Sequence, residues 1–486
     1  MKLKVKYYWI LPLLFWSCNS WIDITPSDRL SEDMLFENRQ GFEKAINGVY
    51  VGLVDRSLYG RTLSAGSIDL MGQYYNYGSG TDINSLVAKY MYEYDDDVKL
   101  IFQNVWEKAY ALIVNCNIII EKCDTKREVL PDVYYGIYKG EALALRAMLH
   151  LDILRLFGPV YDETTKSEEC LPYVTNSNTE ISPLISAEEF LGKVISDLEE
   201  AAALLKNTDP IITEGVRNGA SPTGDNSLYY RQYRLNYYAV NALLARAYLW
   251  GHDKGNALKV AEEILTEVQV EESEIFPFVT NSAATNASNP DRIFSTEVMF
   301  SLYDSYREAE IYDVLFVYTL DNLYTLPGEF LTSGPIKVLY DDENDYRYKM
   351  WATNTTAGET VLYCRKYQDV NASYNYMIPL VRLSEVYLIA AECTDDLEIA
   401  QTYLNKVRTS RGCFSLTSTQ ESLLDDITDE FRREFLGEGQ MFFFYKRHNM
   451  SKIPNGRDAN GTGTIDMLTS DYVVSLPDSE TNVRID

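Results

Sequence analysis

The stretch YKGEALALRAMLHLDILRLFGPV, Tyr138 to Val160, decides the fold. Ala142, Leu145, Leu149, Ile153 and Leu156 recur at spacings of three and four, which places an apolar stripe on one helical face. Leu143, Ala147, Leu151 and Leu154 line a second face. A helix apolar on two faces must be packed between neighbours, so this segment belongs inside a helical assembly. Phe157, Gly158 and Pro159 stop it. Arg234 to Trp250 (RLNYYAVNALLARAYLW) and Val381 to Cys393 (VRLSEVYLIAAEC) carry the same mixture of Ala, Leu and Tyr, with Arg or Glu near the start.

Further helices follow from the same periodicity: Gly41–Val54, Gln103–Cys123, Ala187–Lys206, Gly255–Val268, Leu397–Ser410 and Ile427–Phe444. Ser186 with Glu189 three residues later is a capping box that opens the helix at Ala187. The pair Leu235–Trp250 and Gly255–Val268 forms a hairpin through a short turn. In it Ala245, Tyr248, Ala257 and Ala261 sit at separations resembling the tetratricopeptide repeat, where small residues let two helices approach closely. The fold class expected is therefore mainly α, a scaffold of tetratricopeptide-like helix pairs with long irregular loops and a few short strands.

Two regions break the helical rhythm. Residues 58–98 are rich in Gly, Ser and Tyr and include GQYYNYGSG at Gly72 to Gly80; they read as a long loop. Residues 270–377 hold short strand-like runs at Thr296–Leu302 and Val361–Tyr367 between loops of Asn, Asp, Gly and Pro. Asn207 to Tyr233 is a further loop.

Lys2, Lys4 and Lys6, followed by the apolar run Tyr7 to Trp16 and then Ser17 and Cys18, read as an export signal. The run is too short to span a bilayer comfortably. The expected organisation is a signal peptide over residues 1–17, a tether over 18–40 beginning at a lipidated Cys18, and a single domain over 41–486. The irregular segments 58–98 and 270–377 are insertions in that domain.

The chain has 44 basic and 72 acidic residues and a net charge of −28, which repels phosphate backbones and argues against nucleic acid as a partner. Six cysteines besides Cys18 are too few to staple 486 residues, and Cys116, Cys123 and Cys393 fall in apolar helical runs suited to buried free thiols. Neither C-x-x-C, H-E-x-x-H nor G-x-S-x-G occurs, so zinc and serine-hydrolase chemistry lack their motifs. Asp95–Asp97 and the acidic run from Asp341 to Asp345 offer oxygen ligands for a structural calcium ion, but neither has the Gly and distal Glu of a calcium loop. They read as solvated surface, and no cofactor is expected.

The helical motifs in order, EALALRA at Glu141 to Ala147, LFGPV at Leu156 to Val160, RLNYYAVNALLARAYL at Arg234 to Leu249, RLSEVYLIAAE at Arg382 to Glu392, LNKVRTSRG at Leu404 to Gly412 and EFLGEG at Glu434 to Gly439, resemble the SusD/RagB family of bacterial surface lipoproteins. CNSWIDITP from Cys18 to Pro26 is similar to that family's mature N-terminus. The resemblance implies a glycan-binding protein without catalysis of its own, lipid-anchored in the outer membrane at the cell surface. It also implies that the protein captures an oligosaccharide or polysaccharide and delivers it to a SusC-like TonB-dependent transporter barrel. A peptide-capturing RagB-like lipoprotein is the alternative, ahead of a protein–protein scaffold or a glycoside hydrolase.

Glycan recognition needs aromatic faces against pyranose rings and polar side chains for hydroxyls, carried on loops of a rigid scaffold. Tyr74, Tyr75 and Tyr77 with Asp69, Gln73 and Asn76 form the densest such group, and Tyr312, Tyr318, Asn322 and Tyr324 form a second. Trp106, Tyr110, Trp250 and Phe442–Phe444 read as core, and Glu141, Arg146 and Glu385 as buried structural charges that pair within the scaffold.

Overall fold

A computed structural model describes residues 32–77, 80–270, 274–316, 326–327, 335–356, 359–458 and 460–484. Cys18, Tyr318, Asn322 and Tyr324, expected above to be lipidated or to bind ligand, lie outside the described residues.

The chain is mainly helical. Its longer helices are α1 (Arg39–Leu53), α2 (Asp96–Thr125), α3 (Asp132–Phe157), α4 (Ala187–Lys206), α5 (Tyr237–Trp250), α6 (Lys254–Val268), α7 (Leu383–Cys393), α8 (Leu397–Ser410), α9 (Leu423–Glu434) and α10 (Met441–Arg447). Consecutive antiparallel pairs α5–α6 and α7–α8 stack against each other through α6 and α7, and α3 packs between α2 and α4. The two apolar faces of α3 explain its place: every residue from Gly140 to Phe157 is buried.

Burying α3 also buries its charges, and each finds a partner. Arg146 grips Asp197 through Nε and Nη2, both at 2.7 Å. Glu141 meets Arg231, which also holds Asp209. On α5 and α7, Arg246 and Glu385 pair at 2.6 and 2.7 Å. Removing one member of such a pair leaves an unpaired charge in a low dielectric, which costs about 3–5 kcal/mol.

A two-stranded antiparallel sheet, β1 (Val298–Tyr303) and β2 (Met377–Arg382), pairs Val298 with Arg382 and Tyr303 with Met377. It delivers Arg382 into a sealed cluster with Glu297, Glu434, Glu438 and Arg411, in which Arg382 Nε donates to Glu438 at 2.9 Å. This cluster ties β2 to the end of α9.

Three sequence expectations change. The run Ile427–Phe444 is not one helix: it breaks at Phe435–Gln440, where Gly437 and Gly439 take φ of 81° and 67°. A side chain on Gly439 would meet the Leu63 carbonyl at 2.0 Å, so the break is required by close packing. The end of the tether is folded, with Phe36 buried against Phe42 and Lys122 paired to Glu32 and Asp33. The acidic run from Asp341 is only partly solvated, since Asp345 is sealed against Arg347 and Asp341 pairs with Arg408. Asp95 instead caps α2 by accepting from Asp97 N at 2.8 Å. The six cysteines among the described residues are free, five of them buried.

Candidate functional site

The loop 215–234 begins and ends in left-handed backbone, at Gly215 (φ 63°) and Tyr230 (φ 54°). Tyrosine pays a steric penalty there, and such strain in a non-glycine residue persists only where the surroundings fix it. Tyr230 N donates to Arg217 O at 2.9 Å, closing the base of a compact Ω-type loop. Arg217 lies over the Tyr229 ring at 4.0 Å and donates to Leu228 O at 2.7 Å. Buried Gln232 clamps the loop to the start of β1, donating to Ser295 O and Val298 O at 3.1 and 2.7 Å. From the opposite side Arg39 of α1 reaches Asp225 and Ser227 at 3.1 and 3.2 Å.

Between this loop, α1, the end of β1 and the turn before β2 lies an open cavity of about 750 Å³. That is within the usual range for a small-molecule or oligosaccharide site. Its walls carry Tyr50, Tyr229, Tyr230, Tyr233, Tyr303 and Tyr374, with Asn47, Asn218, Asn226, Ser227, Glu43 and Arg234 supplying polar groups. Tyr303 is the outermost ring, 54% exposed, with its centroid 5.7 Å from Tyr233 and 5.2 Å from Tyr376. These contacts fix its orientation while leaving a face to solvent.

The floor is rigid. Tyr50 Oη accepts from Leu235 N and donates to Glu141, both at 3.0 Å, and Arg234 stacks over the Tyr50 ring at 4.4 Å while donating to Asn47. Burial and then the charge of Glu141 keep the Tyr50 hydroxyl protonated far above its ordinary range. Burial pushes the Tyr233 hydroxyl up to about 12. Both are neutral at physiological pH, and the cavity offers ring faces and hydroxyls where ionised phenolates would be a hindrance.

The expected tyrosine group at 74–77 is elsewhere and packed. Tyr74, Tyr75 and Tyr77 are 7%, 1% and 5% exposed, and Asn76 is half-buried. Tyr74 Oη donates to Arg432 O at 2.7 Å and Tyr75 Oη to Ala65 O at 3.1 Å. Gln73, itself left-handed at φ 61°, donates to Ala88 O and Tyr90 Oη. Asp69 accepts from Gly437 N and Gly439 N at 2.5 and 2.8 Å, and burial pushes its carboxyl up to about 8 against those bonds. The expectation of solvent-facing rings is thus corrected: this group fastens residues 65–90 to the break between α9 and α10. Tyr312 is also buried, 6% exposed. None of these residues lines the cavity. The sequence signal for the cavity was YYRQYR at Tyr229 to Arg234, which carries three tyrosines as the 74–77 group does and is set beside a helix start.

Among the described residues no group of three His, Cys, Asp or Glu side chains converges to hold a metal ion, and no helix is long and apolar enough to cross a membrane.

Comparison with known proteins places these features in context. Residues 332–480 match the model of the SusD family, and residues 21–217 match a second model described as starch-binding associating with outer membrane. A SusD-like protein of Formosa agariphila is 26% identical over 418 residues, 76% of this chain and 75% of that protein. A SusD superfamily protein from Bacteroides thetaiotaomicron VPI-5482 superposes with a TM-score of 0.71 at 23% identity, covering 92% of this chain and 98% of that one. A SusD-like carbohydrate binding protein from Bacteroides vulgatus ATCC 8482 gives 0.68 at 20% identity, covering 92% and 96%. At these identities the structural likeness establishes the fold.

Proposed function

The chain belongs to the SusD/RagB family, and on that premise we propose that it is a cell-surface glycan-binding protein whose ligand site is the tyrosine-walled cavity between α1, the loop 215–234 and β1. The observation that carries this reading is the lining itself. Tyrosine rings fixed by edge contacts offer apolar faces to pyranose rings, and Asn47, Asn218, Asn226 and Arg234 stand around them to serve hydroxyls. Family membership and the described carbohydrate-binding relative support the same chemistry.

In this reading the protein binds glycan without cleaving it, in keeping with a family model described as starch-binding. Lipidation of Cys18 anchors the chain to the outer membrane, facing the cell surface, and the bound oligosaccharide passes to a SusC-like TonB-dependent barrel.

Affinity electrophoresis through gels containing different polysaccharides tests the ligand class. Retardation by at least one glycan, reduced by Tyr303→Ala, is expected. Binding of peptides with no retardation by any glycan would replace this reading with peptide capture.

A further inference from the structure

Four Asn–Gly steps occur in the chain: Asn47–Gly48, Asn218–Gly219, Asn455–Gly456 and Asn460–Gly461. An asparagine before glycine is open to self-conversion, because the bare glycine lets its backbone nitrogen approach the asparagine amide carbon. Hydrogen bonding separates the four. Gly48 lies inside α1, where its N–H is spent in the helical ladder. Gly456 N donates to Gln73 Oε1 at 3.2 Å and Gly461 N to Asp458 O at 3.0 Å. Gly219 N makes no hydrogen bond among the described residues, and both Asn218 and Gly219 are exposed, outside any helix or strand.

Asn218 also helps to hold the cavity wall. Its Nδ2 donates to Gln232 Oε1 at 2.7 Å, and Gln232, 1% exposed, donates through Nε2 to Ser295 O and Val298 O at 3.1 and 2.7 Å. Those two carbonyl acceptors fix the Gln232 amide with its nitrogen toward the start of β1, so the end facing Asn218 is an oxygen. An aspartate at position 218 would set a carboxylate oxygen against that oxygen. Gln232 cannot turn to compensate without leaving two buried carbonyls unpaired, which costs more than the one bond gained. Conversion therefore cuts the tie between the start of the loop and its base, and it puts a carboxylate on the side of the cavity lined by Asn218, Asn226, Ser227 and Tyr229.

We propose that Asn218–Gly219 is a self-modification site whose conversion unlatches the cavity loop. Gly219 N, after losing its proton to hydroxide, bonds to Asn218 Cγ, and Nδ2 leaves as ammonia with a proton from water. Water then opens the resulting succinimide at either carbonyl, leaving aspartate or isoaspartate. The reaction and its effect on the loop are independent of what the cavity binds.

Ageing the mature protein in mildly alkaline buffer, followed by peptide mapping and amide exchange read by mass spectrometry, tests both parts. Beside the parent stand G219A and N218D. The first is sterically free, since nothing lies within 4 Å of a Cβ built at Gly219 and its backbone is not left-handed. Aspartate and isoaspartate are expected to accumulate at Asn218 in the parent several-fold faster than at Asn47, Asn455 or Asn460, and to be suppressed in G219A. N218D and the aged parent are expected to exchange residues 216–233 about fivefold faster than the fresh parent, the shift of an opening equilibrium that loses one hydrogen bond. Conversion no faster at Asn218 than at the other three, or undiminished in G219A, would overturn the modification site. An exchange pattern in folded N218D equal to the fresh parent's would overturn the unlatching.

Discussion

Arg39 on α1 and Asp225 at the tip of the Ω-type loop lie 3.1 Å apart, Nη2 to Oδ2, and this contact ties the loop to α1, two elements that both line the cavity. The same guanidinium lies over the Tyr134 ring at 4.4 Å, so α1, the loop and the start of α3 meet at one side chain.

Because the pair is partly exposed, its worth to global stability is small, about 0–1 kcal/mol. Its effect on the loop is larger than its energy, since few other contacts hold residues 218–227. Arg39→Ala is expected to shift the melting temperature by no more than about 2–4 °C, to raise amide exchange in residues 218–228, and to weaken glycan binding several-fold. Exchange measured by mass spectrometry checks the loop directly. An unchanged exchange pattern would show that the latch is unimportant.

Two tyrosines should behave in opposite ways. Tyr303 offers a free face, and Tyr303→Ala is expected to cost about 1 kcal/mol of binding, roughly fivefold, with little change in stability. Tyr75, 1% exposed in the core, should instead lose about 3–5 kcal/mol of stability as Tyr75→Ala. Parallel denaturation and binding curves for the two variants separate the roles, and equal losses of affinity at matched folded fractions would reject the distinction.

That contrast marks what the sequence could tell. The two apolar faces of the α3 segment were enough to bury it, because periodicity reports which sides of a helix need partners. Ala187–Lys206 and Leu397–Ser410 were legible to their ends, each opened by a side-chain cap, Ser186 and Asp396. The break at Gly437 and Gly439 was visible as a residue pattern, yet the apolar residues on either side hid it. Composition picked out two tyrosine clusters without telling which would be buried. Tyr74 and Tyr75 turn inward because Arg432 O, 358 residues after Tyr74, and Ala65 O, 10 residues before Tyr75, accept their hydroxyl bonds. Tyr233 and Tyr303 come together only through the pairing of the loop base with β1.

Glu392 gives a pH dependence with a definite sign. Burial would raise its carboxyl, but Arg447, at 2.5 and 2.7 Å, overrides burial and holds it well below its ordinary value of 4.5. A group whose folded-state value is depressed contributes stability above its unfolded value and loses that contribution as pH falls through the folded one. Glu392→Gln is therefore expected to be destabilised by about 3 kcal/mol at neutral pH, with the deficit relative to the parent shrinking as pH falls below 4.5. Urea denaturation at pH 7 and pH 3.5 measures it; a deficit independent of pH would refute the assignment.

Anchoring is tested at one atom. Cys18→Ala should abolish incorporation of radiolabelled palmitate and move the protein from the detergent phase to the aqueous phase on Triton X-114 partition. Labelling that persists in the variant would remove Cys18 from the account.

The most direct measurement is a calorimetric titration of the retarding glycan's oligosaccharides against the parent protein, the double variant Tyr230→Ala/Tyr303→Ala, and Phe414→Ala, whose exposed ring does not line the cavity. One saturable site in the parent and in Phe414→Ala, with affinity lost by about tenfold or more in the folded double variant, is the result expected of a cavity that holds the ligand. Equal affinity in all three proteins would contradict it and place the glycan elsewhere on the molecule.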